Sequence, residues 1–152
     1  MKPMLYSRIA RAMLGAGCAL SFAAHATLGQ NVSTVDSDQS RLRAVAHTAT
    51  TQSAYSVHLM TLPSGTQVRE YVAHDGMVFG VAWEGPTLPD LKSMLGSSFD
   101  TYVAATATRC GTPLAVSNSD LVVYSGGHLR AFAGHAYLPQ AVPAGVDAGV
   151  IQ

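Results

Sequence analysis

The side chains with chemical reach fall in two stretches. Arg69, Glu70 and Glu84 lie in the first and His128 and Arg130 in the second, and Glu70 and Glu84 are the only glutamates in the chain. Carboxylates, guanidiniums and an imidazole gathered on one surface would hold a small anion or a carbohydrate, with Tyr71 or Trp83 as a stacking surface. Placed on neighbouring strands, the same charges also make ordinary cross-strand ion pairs, worth about 0.2–1 kcal/mol when exposed. Arg130 would reach Glu70 if the last strand pairs with the strands that carry the glutamates. A second chemistry is general acid–base work by Glu70 or Glu84 with His128, as in a small hydrolase or isomerase. Trp83 reads equally as a core residue, because Phe79 and Val81 share its alternation.

Other chemistries find less support. A metal site needs histidines that converge with a carboxylate. His58 and His74 lie on different elements, and His128 and His135, seven apart on one expected strand, point to opposite faces. Nothing near Cys110 would depress its pKa, so it reads as an unpaired, partly buried thiol. Asp36 and Asp38 suit helix capping better than a calcium loop. There is no G-x-S-x-G elbow, P-loop or H-E-x-x-H motif, and one thiol beyond the leader cannot form C-x-x-C. Neither a cofactor nor a metal is expected.

These residues must be positioned by the stretch 55–96, which predicts a three-stranded meander and a short helix. Tyr55, Val57 and Leu59 alternate with Ser56, His58 and Met60, the period of a strand. Pro63-Ser64-Gly65 turns the chain, because proline presets φ and glycine accepts positive φ. The return strand spans 66–73, with Val68, Glu70 and Val72 on one face and Arg69 and Tyr71 on the other. Asp75-Gly76 predicts a tight two-residue hairpin. The third strand spans 77–83, with Met77, Phe79, Val81 and Trp83 on one face. Pro86 stops the sheet, and Leu88-Pro89-Asp90-Leu91 opens a helix that ends at Gly96.

Outside this stretch, Ser33 or Thr34 would cap a helix over about 33–48, with acids early and Arg41 and Arg43 later, followed by a polar linker over 48–53. A second helical segment follows Ser98, with Phe99, Tyr102 and Val103 on one face. Strands are expected over 114–116, 121–124 and 128–137, with the last hairpin turning at Ser125-Gly126-Gly127. Prolines and glycines make 139–152 an irregular arm. The fold class is therefore α+β: one small domain whose antiparallel sheet, a meander plus a C-terminal hairpin, carries an N-terminal helix and one or two short helices.

Residues 1–26 read as a signal peptide rather than structure. Lys2, Arg8 and Arg11 precede the apolar run 12–24, and Ala24-His25-Ala26 fits the small-x-small cleavage rule. The run is short for a bilayer span, and Gly15 stands where a lipobox before Cys18 would have leucine. Removing the leader takes three cations and no acids from a chain of zero formal charge, leaving a mildly acidic domain over 27–138 and the arm. Such a chain has no basic patch for nucleic acid and no stable membrane insertion after cleavage. With one thiol it would form no internal disulfide, so packing must supply its stability. It is expected to be exported, to the periplasm or beyond.

Several blocks also carry a resemblance. Leu62-Pro63-Ser64-Gly65-Thr66, Val68-Arg69-Glu70-Tyr71-Val72 and Val78-Phe79-Gly80-Val81-Ala82-Trp83 are the first, followed by Gly85-Pro86-Thr87-Leu88-Pro89-Asp90-Leu91. Asp120-Leu121-Val122-Val123, Ser125-Gly126-Gly127-His128, Arg130-Ala131-Phe132, Tyr137-Leu138-Pro139 and Val142-Pro143-Ala144-Gly145-Val146 continue it. Together they resemble a bacterial family of exported proteins, domain of unknown function 2844. The resemblance implies an exported bacterial protein and assigns no activity or site residue. Cys110 lies outside the matching blocks, which argues against a role for the thiol. The expectation is a non-catalytic binding or interaction module of the cell envelope, with a protein or small-molecule partner. The alternative is the hydrolase or isomerase above, or a purely structural envelope component.

Overall fold

Seven antiparallel strands form one sheet in the computed structural model, which describes residues 28–34, 39–40, 42–107 and 113–152. They are β1 (Ala46–Thr51), β2 (Tyr55–Thr61), β3 (Gln67–Ala73), β4 (Val78–Gly85), β5 (Leu114–Ser117), β6 (Val122–His128) and β7 (Ala131–Tyr137). Their spatial order is β1-β2-β3-β4-β7-β6-β5. Two meanders thus meet at the β4–β7 ladder, and the sheet is longer than the sequence suggests. Between β4 and β5 the chain crosses one face as α1 (Leu91–Leu95) and α2 (Phe99–Thr106), joined by a 3-10 turn.

Turn chemistry explains the meander. Gly65 takes φ 86° at the Pro63-Ser64-Gly65 turn, where its N–H donates to Leu62 O. At the next hairpin Gly76 alone has positive φ, and Asp75 Oδ1 accepts from Met77 N. A two-residue turn with both φ positive is therefore not formed there. Asp90 caps α1, accepting from Lys92 N and Ser93 N, whereas Ser98 makes no side-chain cap for α2. On α2, Tyr102 is buried and Phe99 packs on the core, but Val103 is exposed.

The helix face of the sheet is the main core. Met60, Val68, Val72, Val78, Val81, Trp83, Val123 and Ala136 lie under Leu28, Met94, Leu95 and Tyr102. The opposite face carries a smaller cluster in which Ile151 of the C-terminal arm covers Tyr71, Phe79 and Ala82. Phe79 is there because of a β-bulge. Tyr71 pairs with Gly80 and Val72 with Val78, so Phe79 has no partner across the ladder and the alternation slips by one residue. Phe79 and Trp83, expected on one face, are on opposite faces.

Two further expectations are corrected. Of the helix expected over 33–48, residues 35–38 and 41 lie outside the described residues. Val32–Thr34 form a 3-10 turn, and the helix's expected end together with the linker as far as Thr51 is the edge strand β1. Three β-branched threonines in Ala46–Thr51 favour extended backbone, and β2 offers them a ladder. The last hairpin does not turn at Ser125-Gly126-Gly127, which run inside β6 paired with Gly134, Ala133 and Phe132. It turns at Leu129-Arg130, where Arg130 takes φ 68°. The glycines serve close approach instead: a Cβ on Gly127 would overlap the Ala131 carbonyl.

Candidate binding cleft on the arm face

Strand alternation decides which of the expected site residues meet. Arg69, Tyr71 and Glu84 share the arm face, and Arg69 Nη2 lies 3.9 Å from Glu84 Oε2. Arg69 Nη1 donates to the Gln152 backbone oxygen at 2.9 Å, and Tyr71 Oη donates to the same atom at 3.1 Å. Two of the expected ligand contacts are thereby committed to anchoring the arm.

The others are elsewhere. Trp83 is 1 % exposed in the helix-face core, and its Nε1 has no hydrogen-bond partner among the described residues. Glu70 is 2 % exposed on that same face, directly across from His58. His58 Nδ1 is 3.2 Å from His47 Nε2, and its Nε2 is 3.4 Å from Ser56 Oγ. His128 and Arg130 are exposed at the β6–β7 hairpin end. The expected Arg130–Glu70 pairing across neighbouring strands does not arise, because β4 lies between β3 and β7. Register places His128 and His135 on the same face rather than opposite faces, since the hairpin turn intervenes. Glu70, Glu84 and His128 do not converge. Among the described residues no group of three or more His, Cys, Asp or Glu side chains is arranged to hold a metal, and Cys110, Asp36 and Asp38 lie outside them.

What the arm face does form is an open cleft of about 700 Å³ between the β4-β7-β6 surface and the arm. Its floor includes Ala133 and Gly134, its far wall is Asp147, Ala148, Gly149, Ile151 and Gln152, and Glu84 stands at its rim. Tyr124, His135 and Tyr137 run along it as a row of near-parallel rings. Their centroids are 5.8 and 6.3 Å apart, with interplanar angles of 22° and 26°. The row follows from register: Tyr124 is the cross-strand partner of His135, and Tyr137 is two residues further along β7. Burial lowers the pKa of His135, which favours the neutral imidazole. The charges around the cleft are already engaged. Glu84 faces Arg69, and Asp147 Oδ1 accepts from Gly149 N at 2.8 Å.

Sequence reasoning missed Tyr124, His135, Tyr137 and Asp147 as a group. The spacing of His135 and Tyr137 was an available signal, but the misplaced turn hid the partnership with Tyr124.

A seven-stranded antiparallel sheet, helices on one face and a cleft beneath a C-terminal arm on the other define a small α+β protein with one solvent-open side. The chain belongs to the family described as "Protein of unknown function (DUF2844)", which matches residues 24–151. No curated protein and no solved structure matches it.

Proposed function

We propose that this protein is a non-catalytic binding module of the cell envelope, and that the arm-face cleft takes an uncharged, hydroxyl-bearing ring, a saccharide unit. The observation that carries the reading is the row Tyr124–His135–Tyr137 along an open cleft. Aromatic rings offer apolar surface to the C–H faces of a sugar, and carboxylate and carbonyl oxygens at the rim accept from its hydroxyls. A charged ligand is less well served. Arg69 is engaged by Glu84 and Gln152, so an anion would meet carboxylates without a free cation from this cluster. The envelope location rests on the leader-like residues 1–26. The separation of Glu70, Glu84 and His128 weighs against the hydrolase or isomerase reading.

The test is NMR titration of the isotope-labelled protein with a panel of neutral mono- to tetrasaccharides, including glucose, mannose, galactose and N-acetylglucosamine series. Expected are saturable shifts confined to Tyr124, Ala133, His135, Tyr137 and the arm, lost in Tyr124→Ala/Tyr137→Ala. Absence of shifts at millimolar sugar, or shifts centred elsewhere, overturns the reading.

A further inference from the structure

The far edge of the sheet raises a question separate from the cleft. β1 is an outermost strand of six residues, and among the described residues no other strand pairs with its outer side. Sheet edges are ordinarily protected by charge, proline, a bulge or shortness, since their unpaired N–H and C=O groups template pairing with another chain. β1 has none of these devices. Its sequence, Ala-His-Thr-Ala-Thr-Thr, contains no Lys, Arg, Asp, Glu or Pro, its register with β2 is unbroken, and only His47 is half-buried. The opposite edge differs: β5 has four residues and α2 packs beside it.

The backbone fixes which groups are available. Gln52 N donates to Tyr55 O at 2.7 Å, which makes Gln52–Tyr55 a hydrogen-bonded pair. Alternation along the ladder then turns the backbone groups of Ala46, Thr48 and Thr50 toward β2 and those of His47, Ala49 and Thr51 outward.

We propose that this edge pairs with the β1 edge of a second copy of the chain, antiparallel about a twofold axis at Ala49. In that register Ala49 meets Ala49 and His47 meets Thr51, so all three outward-facing residues of each copy find partners. Thr48 then lies opposite Thr50 on the other face, a favourable cross-strand pairing, and no like charges oppose one another. Val45, 68 % exposed just before β1, would lie in the same contact. The second copy is favoured over an unrelated peptide by this self-complementarity, which a one-sided partner does not require. β1 itself carries no Lys, Arg, Asp or Glu, so no like charges on the two edge strands oppose the encounter. A single added strand falls well below the roughly 1,600 Å² of a standard stable interface, so the dimer is weak and reversible.

Sedimentation equilibrium of the intact protein from about 10 μM to about 1 mM, the range of weak association, tests this. The weight-average mass should rise from monomer toward dimer. Thr48→Lys/Thr50→Lys places ammonium groups opposite one another across the axis and should abolish the rise while the circular dichroism spectrum and melting stay unchanged. Ala49→Pro removes the central outward N–H without touching the β1–β2 bonds and should do the same. A monomer throughout, or a dimer indifferent to both variants, overturns the proposal. So does capture of the edge by a different polypeptide in place of self-pairing. Saccharide binding at the cleft is read separately, because none of these substitutions touches it.

Discussion

Gly134 lies directly across the β4–β7 ladder from Trp83, and no room for a methyl group exists between them. A Cβ at Gly134 would overlap Trp83 Cζ2 on one side and the Tyr124 carbonyl oxygen on the other. Because the second obstacle is backbone in the neighbouring strand, a side-chain rotation cannot relieve it. Gly134→Ala should lose about 1–3 kcal/mol to overpacking, outweighing the ~0.4–1 kcal/mol gained by restricting the unfolded chain. Urea unfolding of the variant beside wild type measures the difference, and an unchanged midpoint would show that Trp83 is not held against β7.

The turn between β2 and β3 is tied to the exit of β4 by three hydroxyls. Thr66, fully buried, donates from Oγ1 to Thr87 O at 2.8 Å and accepts from Thr87 N at 3.2 Å, while Thr87 Oγ1 donates to Ser64 Oγ at 2.8 Å. Gly85 approaches so closely that a Cβ there would be 2.5 Å from Thr66 Cα. Thr66→Val keeps the shape but strands the Thr87 N–H, so a loss of about 1–3 kcal/mol is expected. Thr66→Ser, which retains the hydroxyl, should recover most of it in the same unfolding assay.

How far the sequence foretells these relationships depends on the kind of information a residue carries. Gly65 and the helix entrance at Leu88-Pro89-Asp90-Leu91 are legible because turn and helix-start chemistry is local, although the sequence reading rests the entrance on Pro89 whereas the Asp90 side chain is the cap. The bulge at Phe79 is not legible, because an alternating run contains no mark of the extra residue that puts Phe79 on the arm face. Ser125-Gly126-Gly127 misleads for a related reason. Glycine signals either a turn or a close approach, and only the neighbouring Ala131 and Phe132 backbone decides between them. β1 is extended because β2 is there to pair with, a tertiary fact that its threonines only permit. The cleft inherits these errors: Tyr124 and His135 become neighbours once the turn falls at Leu129-Arg130.

The arm should be held by apolar contact more than by its polar latch. Ile151 is 2 % exposed and sits over Gly80, where a Cβ would be 2.7 Å from Ile151 Cδ1. Ile151→Ala removes a buried aliphatic group worth about 2–5 kcal/mol in a closed core, an upper limit here because the arm can open without unfolding the sheet. Arg69→Ala breaks a pair whose Glu84 side chain is 71 % exposed, and well under ~1 kcal/mol is expected. Hydrogen exchange of the Val150, Ile151 and Gln152 amides should therefore accelerate far more in Ile151→Ala than in Arg69→Ala. Equal acceleration would place the hold in the latch.

His135 gives the fold a pH dependence of definite sign. Burial on the arm face lowers its pKa below the ordinary 6.5, so between the two values the unfolded chain binds a proton that the folded chain does not. Stability is therefore fully present above the ordinary imidazole value. It declines as pH falls through it and levels off only below the folded value. Asp90 acts lower on the scale. Its hydrogen bond from Ser93, with the Ser93 and Lys92 backbone amides, holds its carboxyl below the ordinary 3.8, so that contribution persists until pH falls through the carboxylate range. Unfolding free energies at pH 7.5 and 5.5 should thus differ more for wild type than for His135→Gln, and Asp90→Asn should leave that difference intact. A wild-type difference that survives in His135→Gln would overturn the assignment of this dependence to His135.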